Sequence, residues 1–212
     1  GKPLLYWTIK ACLHAREVEK IWVSSDDKKI LALSKKYGVK IIKRPKKISK
    51  DSSTSEEGWL HAIKIIKKEF DVKNLIALQA TSPFRKKSDI DFAIQKFKKN
   101  KYDSLFSASE LKSYFIWTII NKKKIKPNYN INLRRKNRQN VKKKLIENGS
   151  FYIFSADKFL HYRKRCFKKI GYFKQDLFSG FEIDEKNDLE VAKSIFKYLK
   201  TKKKSSKIEN YF

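Results

Sequence analysis

The amino-acid sequence predicts an α/β fold with a mostly parallel sheet, formed by a single domain over residues 1–212. Strand-like and helix-like segments alternate through its first half, as in chains that build parallel sheets. The apolar run 74–78 has the length of a buried strand and lies between two helical patterns. A hydrophobic content of 41% with 14% aromatic residues is enough for the core of one domain.

The first half of the chain contains segments whose secondary structure the pattern predicts. The patterns predict a helix at 3–16, a strand at 20–25, a helix that Asp26 and Asp27 cap and Gly38 ends, and a strand at 39–42.

The next helix has a clear start signal. Ser53 with Glu56, or Thr54 with Glu57, has the spacing of a capping box. Apolar residues then recur on one helical face, which we expect to pack on the sheet. Strand 74–78, a helix at 88–97 and a strand at 103–108 follow.

The pattern changes between Tyr114 and Lys144, a segment with short strand-like pieces at 115–120 and 124–126 and a basic stretch without helical periodicity. Because such a segment cannot bury itself, we expect it to project from the domain. Strands at 150–155 and 170–174, a helix at 187–199 and a tail at 201–212 complete the assignment.

The formal charge of +30 raises the question of a polyanion partner. Of the 52 basic residues only eight are Arg, and the Lys residues are spread over helix faces, turns and the tail. Nucleic-acid-binding proteins favour Arg and concentrate it in a groove, so a solvated basic surface is the preferred interpretation and nucleic-acid binding the weaker alternative.

Neither Cys12 nor Cys166 has the spacing of a metal site or a redox motif, which predicts buried thiols in a reducing compartment. No apolar run approaches the roughly 20 residues of a membrane span, and no signal peptide is visible. We therefore expect a cytoplasmic protein without a membrane partner.

Residues 78–85, Leu-Gln-Ala-Thr-Ser-Pro-Phe-Arg, place polar groups at the carboxyl end of the predicted strand, where open α/β sheets bind ligands. This octapeptide resembles the Leu-Gln-Pro-Thr-Ser-Pro-Leu-Arg signature of the acylneuraminate cytidylyltransferases, with Ala80 in place of the first proline. Further segments are similar to that family in the same order: 1–9, 43–45 with Asp51 and the Ser/Thr cluster to Ser55, Arg138-Gln139 with 147–153, and 182–189.

The resemblance implies a Rossmann-like nucleotide-diphospho-sugar transferase fold that transfers CMP from CTP to a sialic-type 2-keto sugar acid and releases pyrophosphate. It also implies Mg²⁺ as cofactor and a homodimer whose arm is the segment 114–144. The family pattern begins earlier, with a strand and a Gly/Arg/Ser/Lys-rich loop, so we expect the nucleotide loop to precede Gly1 and these residues alone to use CTP poorly.

The resemblance also assigns roles to individual residues. Asp184 and Glu182 are the implied metal ligands, and Asp184, Arg138 and Gln79 the implied catalytic residues. The implied substrate contacts are Arg44, Ser55, Gln79, Thr81, Ser82, Arg138, Asn148 and Tyr152. Glu182 departs from the Asp of the family pattern, so a catalytically inactive dimerising homologue of the same fold is an open alternative.

Each assignment has a structural alternative. The acidic cluster around Asp188 has the composition of a helix cap, and Gln79, Thr81 and Ser82 could form an ordinary turn before Pro83. Asn148-Gly149 is also typical of a turn. Arg85 is expected at the surface, Tyr152 and Trp117 are compatible with core positions, and the histidines His14, His61 and His161 are expected to be structural or exposed.

Overall fold

The computed structural model describes residues 1–111, 116–132 and 143–205, with side chains up to residue 201. The helices are α1 (Leu4–His14), α2 (Lys28–Lys36), α3 (Ser55–Ile66), α4 (Lys87–Lys99), α5 (Ala156–Tyr162) and α6 (Lys186–Ser205). The strands are β1 (Trp22–Ser25), β2 (Lys40–Lys43), β3 (Asn74–Leu78), β4 (Ser104–Leu111), β5 (Trp117–Asn121), β6 (Lys124–Pro127), β7 (Lys144–Ser155) and β8 (Ile170–Gln175).

The main sheet has the strand order β3–β7–β4–β8, and β1 pairs with β2 in a separate parallel ladder. Strands β4 and β8 are parallel, whereas β7 runs antiparallel to both β3 and β4. The α/β prediction is confirmed, and β7 accounts for the mixed character of the sheet. Where the connection from β4 to β7 is described, it holds the β5–β6 hairpin rather than a crossover helix, so β7 returns antiparallel beside β4.

Helices cover both faces of the main sheet. Phe151 and Ile153 of β7 belong to a core with Ile90 and Ala93 of α4, while the alternate β7 residues Tyr152 and Phe154 pack with helices α3 and α5. Successive side chains of a strand point to opposite faces, so four consecutive buried residues indicate a strand covered on both sides.

Side-chain caps fix where two helices begin. The Asp27 carboxylate accepts hydrogen bonds from Lys29 N (2.5 Å) and Ile30 N (3.2 Å) at the start of α2. At the start of α3, Thr54 and Glu57 form the predicted capping box, with Thr54 N donating to Glu57 Oε2 at 2.8 Å. Of the two capping boxes considered from the sequence, the Thr54 one is confirmed.

Several elements differ from the sequence-based assignment. The short helix α5 was not predicted, and β7 starts at Lys144 rather than at residue 150. Trp117 is 43% exposed because the β5–β6 hairpin projects, so the core position expected for it is wrong. Helix α6 continues into the predicted tail as far as Ser205.

Two of the expected segments are only partly described. Of the predicted arm 114–144, residues 114–115 and 133–142 lie outside the described residues, as do 206–212 of the tail. Among the described residues, no helix is long and apolar enough to cross a membrane.

Candidate active site at the carboxyl edge of the sheet

The segment after β3 crosses the carboxyl edge of the sheet and is fastened to β7. Gln79 N donates to Ser150 O at 3.1 Å, and Thr81 O accepts a hydrogen bond from Ile183 N at 2.9 Å. Residues from three separate parts of the chain therefore meet at the end of β3. This is the edge at which open α/β sheets bind ligands.

Arg85 holds this segment in place and is only 2% exposed. Its guanidinium donates to Ser150 Oγ (3.0 Å), Ser150 O (2.5 Å) and Gln79 O (2.9 Å), and to Thr8 Oγ1 of α1 at 3.5 Å. Burial lowers the pKa of Arg85 to about 10, and no described carboxylate forms an ion pair with it. The expectation of a surface position was wrong, because acceptors distant in sequence satisfy the buried cation.

Strand β7 carries a bulge at the predicted Asn148-Gly149 motif. Phe106 pairs with Tyr152 and Ala108 pairs with Glu147, so residues 148–151 stand opposite Ser107 alone. Gly149 adopts φ +65°, a left-handed conformation that glycine tolerates best. Bulges redirect side chains next to active sites, and this one turns the strand toward the segment after β3.

The Asn148 side chain is 7% exposed and bonded on all sides to the protein. Its Nδ2 donates to Ser109 Oγ (3.0 Å) and Gln175 Oε1 (3.2 Å), and its Oδ1 accepts from Ser150 N (3.3 Å). These bonds hold the bulge in place. Contact between Asn148 and a substrate stays a prediction.

Glu182 is packed against the bulge. A Cβ atom at Gly149 would lie 2.5 Å from Glu182 Oε1, so any side chain there would displace the carboxylate from its present position. Burial raises the pKa of Glu182, the neighbouring Asp184 raises it further, and Arg85 partly offsets both. Among the described residues, neither acid forms an ion pair with a basic side chain.

Asp188 has a different role from the two acids that precede it. Its carboxylate accepts hydrogen bonds from Asp184 N (3.0 Å) and Glu185 N (2.8 Å) at the start of α6. These bonds lower the pKa of Asp188. The helix-cap interpretation is therefore confirmed for Asp188.

Glu182 and Asp184 provide the oxygen donors that a Mg²⁺ ion prefers. Within the described ranges, no group of three or more acidic, His or Cys side chains is placed to hold a metal by itself. Mg²⁺ commonly takes one or two carboxylates and completes its shell with water and substrate phosphates. Two neighbouring acids without an ion-pair partner fit that donor set.

Buried hydroxyls line the same edge without satisfying one another. Thr81 Oγ1, Ser82 Oγ and Ser179 Oγ have no hydrogen-bond partner of good geometry among the described residues. Ser82 and Ser179 are fully buried, and Ser82 lies close enough to Glu182 to lower its pKa slightly. Ser179 was missed by sequence reasoning because it belongs to no motif.

Arg44 directly follows β2, and Ser55 is the first residue of α3. Arg44 N donates to Ser25 O at 2.9 Å, directly after β2. The Arg44 guanidinium rests on Gly58, one helical turn beyond Ser55, with Nη1 3.1 Å from where a Cβ would stand. Arg44 Nε is buried without a hydrogen-bond partner in the described structure.

Tyr152 lies in the core between the sheet and α3, and is 1% exposed. Its hydroxyl donates to Glu147 Oε1 at 2.5 Å and accepts from Arg165 Nη1 at 3.3 Å, while Arg165 also binds Glu56 of α3. Burial raises the pKa of Tyr152. Its packing matches the core alternative, and substrate contact through its hydroxyl stays a prediction.

The structure thus brings Gln79, Thr81, Ser82, Glu182 and Asp184 to one place, with Asn148 in the adjoining bulge. Arg44 contacts α3 at Gly58, one turn after Ser55. Arg138, like Gln139, lies outside the described residues.

Solved structures of similar architecture define the class of fold. A CMP:2-keto-3-deoxy-manno-octonic acid synthetase complexed with CTP matches 93% of this chain and 89% of its own, with a TM-score of 0.66 and 15% identity. A 4-diphosphocytidyl-2C-methyl-D-erythritol synthase from Anaerococcus prevotii matches 93% of this chain and 87% of its own, with a TM-score of 0.65 and 16% identity. The chain therefore shares the fold of these two enzymes.

Sequence comparisons give the family. The family model described as cytidylyltransferase matches residues 1–208, and the chain belongs to that family. It is 32% identical over 195 residues to N-acylneuraminate cytidylyltransferase B of Danio rerio, covering 91% of this chain and 45% of that protein. It is 33% identical over 112 residues to a pseudaminic acid cytidylyltransferase of Campylobacter jejuni, covering 52% of this chain and 48% of that protein. The matched part of the chain spans slightly less than half the length of each of these relatives.

We predict that Arg85→Met lowers the free energy of unfolding by about 3 kcal/mol, because several buried acceptors lose their donor at about 1–3 kcal/mol each. Urea denaturation followed by tryptophan fluorescence measures the change. Arg16→Met, at an exposed position, is the control and should change stability by less than about 0.5 kcal/mol. Equal stability of the Arg85 variant and the wild type would contradict the conclusion that the hydrogen bonds of Arg85 stabilise the fold.

We predict that Glu182→Gln makes the metal-free protein more stable at pH 7. Because the pKa of Glu182 is raised in the folded state, the folded protein binds more protons than the unfolded one just above pH 4.5. The wild type therefore loses stability as the pH rises through that range. Denaturation between pH 4 and pH 7 should show a gain in the variant that grows with pH.

Asp188→Asn is the matched contrast, since its pKa is lowered and the sign reverses. Asp188 stabilises the folded state above its ordinary pKa and loses that effect as the pH falls. The variant should therefore be less stable than the wild type at pH 7, with a gap that narrows toward acid. The same sign for both variants would refute the assignment.

Proposed function

We propose that the protein transfers CMP from CTP to the anomeric hydroxyl of a nonulosonic, sialic-type 2-keto sugar acid and releases pyrophosphate. The observation that carries the proposal is the contact of the Glu182–Asp184 segment with the Gly149 bulge and with Thr81 at the carboxyl edge of the sheet. The names of its relatives, which are cytidylyltransferases of N-acylneuraminate and pseudaminic acid, support CTP and an acidic sugar as substrates.

Glu182 and Asp184 would hold Mg²⁺ in this proposal. A bound Mg²⁺ ion supplies charge neutralisation at the polyphosphate. Without it, two neighbouring carboxylates would repel the nucleotide phosphates. Glu182 is one methylene longer than the family Asp, so Asp184 is the principal ligand and Glu182 the weaker one.

The remaining residues would bind and orient the reactants. Gln79, Thr81 and Ser82 present an amide and two hydroxyls at the end of β3, of which the two hydroxyls lack protein partners among the described residues. We assign them to the cytidine, the ribose or the incoming sugar. Arg44 and Ser55 are assigned to the nucleotide, and Arg138 to the carboxylate of the sugar acid, for which its forked donors are suited.

The reaction is an in-line displacement at the α-phosphorus. The anomeric oxygen of the sugar bonds to phosphorus, the bond to the bridging oxygen of the β-phosphate breaks, and pyrophosphate leaves with that electron pair. The hydroxyl proton is released to solvent or to a neighbouring base. Positioning and electrostatic stabilisation carry most of the catalysis in such transfers.

The decisive experiment measures pyrophosphate release from CTP with N-acetylneuraminic acid and Mg²⁺, catalysed by a protein that carries the family's N-terminal nucleotide loop before Gly1. We predict that Asp184→Asn lowers turnover by several orders of magnitude at unchanged thermal stability, because a charge-neutralising contact is lost. Glu182→Asp should preserve or improve turnover. Near-normal activity of Asp184→Asn would refute the site, and a wild type that binds CTP without turnover would favour the inactive homologue.

We further propose a homodimer, for which the β5–β6 hairpin is the supporting observation. Its Ile119, Ile120 and Ile125 are 77%, 51% and 57% exposed, an apolar surface that a partner could cover. A cytoplasmic location is part of the same proposal, since Cys12 and Cys166 are both unpaired thiols.

Light scattering tests the dimer. We predict a dimer at micromolar concentration and a monomer for the double variant Ile119→Lys with Ile125→Lys, because charges would be desolvated at the interface. Leu13→Lys, at an equally exposed apolar position on α1, is the control and should leave the dimer intact. A wild-type monomer would refute the proposal.

A further inference from the structure

Arg44 and Lys47 lie against α3 near His61, a group that we call the Arg44–His61 pocket. The Arg44 guanidinium occupies the groove left by Gly58, with Nη1 3.1 Å from the position of a Cβ there. His61 is one helical turn further along the same face, and both Arg44 and Lys47 act on it electrostatically. The absence of a side chain at residue 58 therefore lets the guanidinium lie beside the imidazole.

The pocket contains polar atoms that the described protein does not satisfy. Arg44 Nε and His61 Nδ1 are both buried without a hydrogen-bond partner. The acids at the start of α3 are engaged elsewhere, since Glu56 binds Arg165 at 2.7 Å and Glu57 accepts from Thr54 N at 2.8 Å. Unsatisfied buried groups are costly, and their persistence points to a ligand.

The protonation of His61 determines what the pocket offers. Burial, Arg44 and Lys47 all lower the pKa of His61, so the imidazole of the empty pocket is neutral at pH 7. The neutral ring carries a single proton, and with that proton on the unpartnered Nδ1 the imidazole is a hydrogen-bond donor in the pocket. Arg44 offers donors only, so the pocket presents donors from both side chains.

We propose that Arg44 and His61 together bind an acceptor-rich group of the nucleotide, with His61 as a hydrogen-bond donor that sequence motifs do not identify. Two groups of CTP have this chemistry, the ring carbonyl and N3 of cytosine and the oxygens of the triphosphate. The inference rests on the proposed function, since CTP is the expected ligand. It adds His61 as a binding residue and Gly58 as the position that admits the guanidinium.

Isothermal titration calorimetry with CTP, cytidine and inorganic pyrophosphate tests the pocket and separates its two sources of acceptors. His61→Phe, which keeps a ring and removes the donor, should weaken CTP binding about tenfold, as expected for one lost hydrogen bond. His61→Asn, which restores an amide donor near the Nδ1 position, should recover most of that affinity. His161→Phe, on exposed α5, should leave binding unchanged.

Gly58→Ala separates binding from folding. Alanine favours a helix over glycine, so a purely structural pocket would become more stable with binding unchanged. In our proposal the new Cβ displaces the guanidinium and weakens CTP binding a few-fold without loss of thermal stability. In the wild type, the His61 ring signals in ¹⁵N-correlated NMR spectra should shift with whichever of cytidine or pyrophosphate the pocket binds.

The outcomes are distinct. Loss of cytidine binding in the His61 and Gly58 variants assigns the pocket to the base, and loss of pyrophosphate binding assigns it to the phosphates. CTP binding that is unchanged in both variants, with no shift of the His61 signals, overturns the proposal while leaving the proposed function intact. A wild type that carries the family's N-terminal loop and still does not bind CTP contradicts the proposed function and, with it, this subsite.

Discussion

The buried guanidinium of Arg85 is the interaction on which the carboxyl edge of the sheet depends. It joins α1, the segment after β3 and the β7 bulge through four acceptors. A buried charge is normally tolerated only with a paired charge, and here neutral oxygens take that place. Gln79 and Ser150 both accept hydrogen bonds from this guanidinium, so their positions cannot change independently.

The same edge is less favourable for stability than the core beneath it. Glu182 is held near Asp184 with a raised pKa, and Ser82 and Ser179 are buried with unsatisfied hydroxyls. These features cost stability in the free protein and become favourable only when a cation and polar ligand groups are present. The core clusters around Phe151 and Phe154, by contrast, are apolar and closely packed.

The parts of the fold with local signals could be predicted from the sequence, including β3, the Asp27 cap and the Thr54 capping box. The burial of Arg85 could not, because its acceptors Thr8 and Ser150 are 77 and 65 residues away. The early part of β7 was missed since residues 145–147 are exposed and show no alternation of apolar and polar side chains, and α5 because it has only seven residues. The resemblance supplied candidate residues at the edge, but Ser179 and His61 needed the three-dimensional arrangement.

The insertion of β7 between β3 and β4 has a consequence for how the chain reaches its native state. The two earlier strands have no direct ladder with each other, so the centre of the sheet stays open until residues 144–155 have been synthesised. Contacts of such long sequence separation slow folding. On the ribosome, roughly the first two thirds of the chain must wait with exposed strand edges, and a chaperone that covers them during synthesis would benefit this protein more than one whose sheet closes in sequence order.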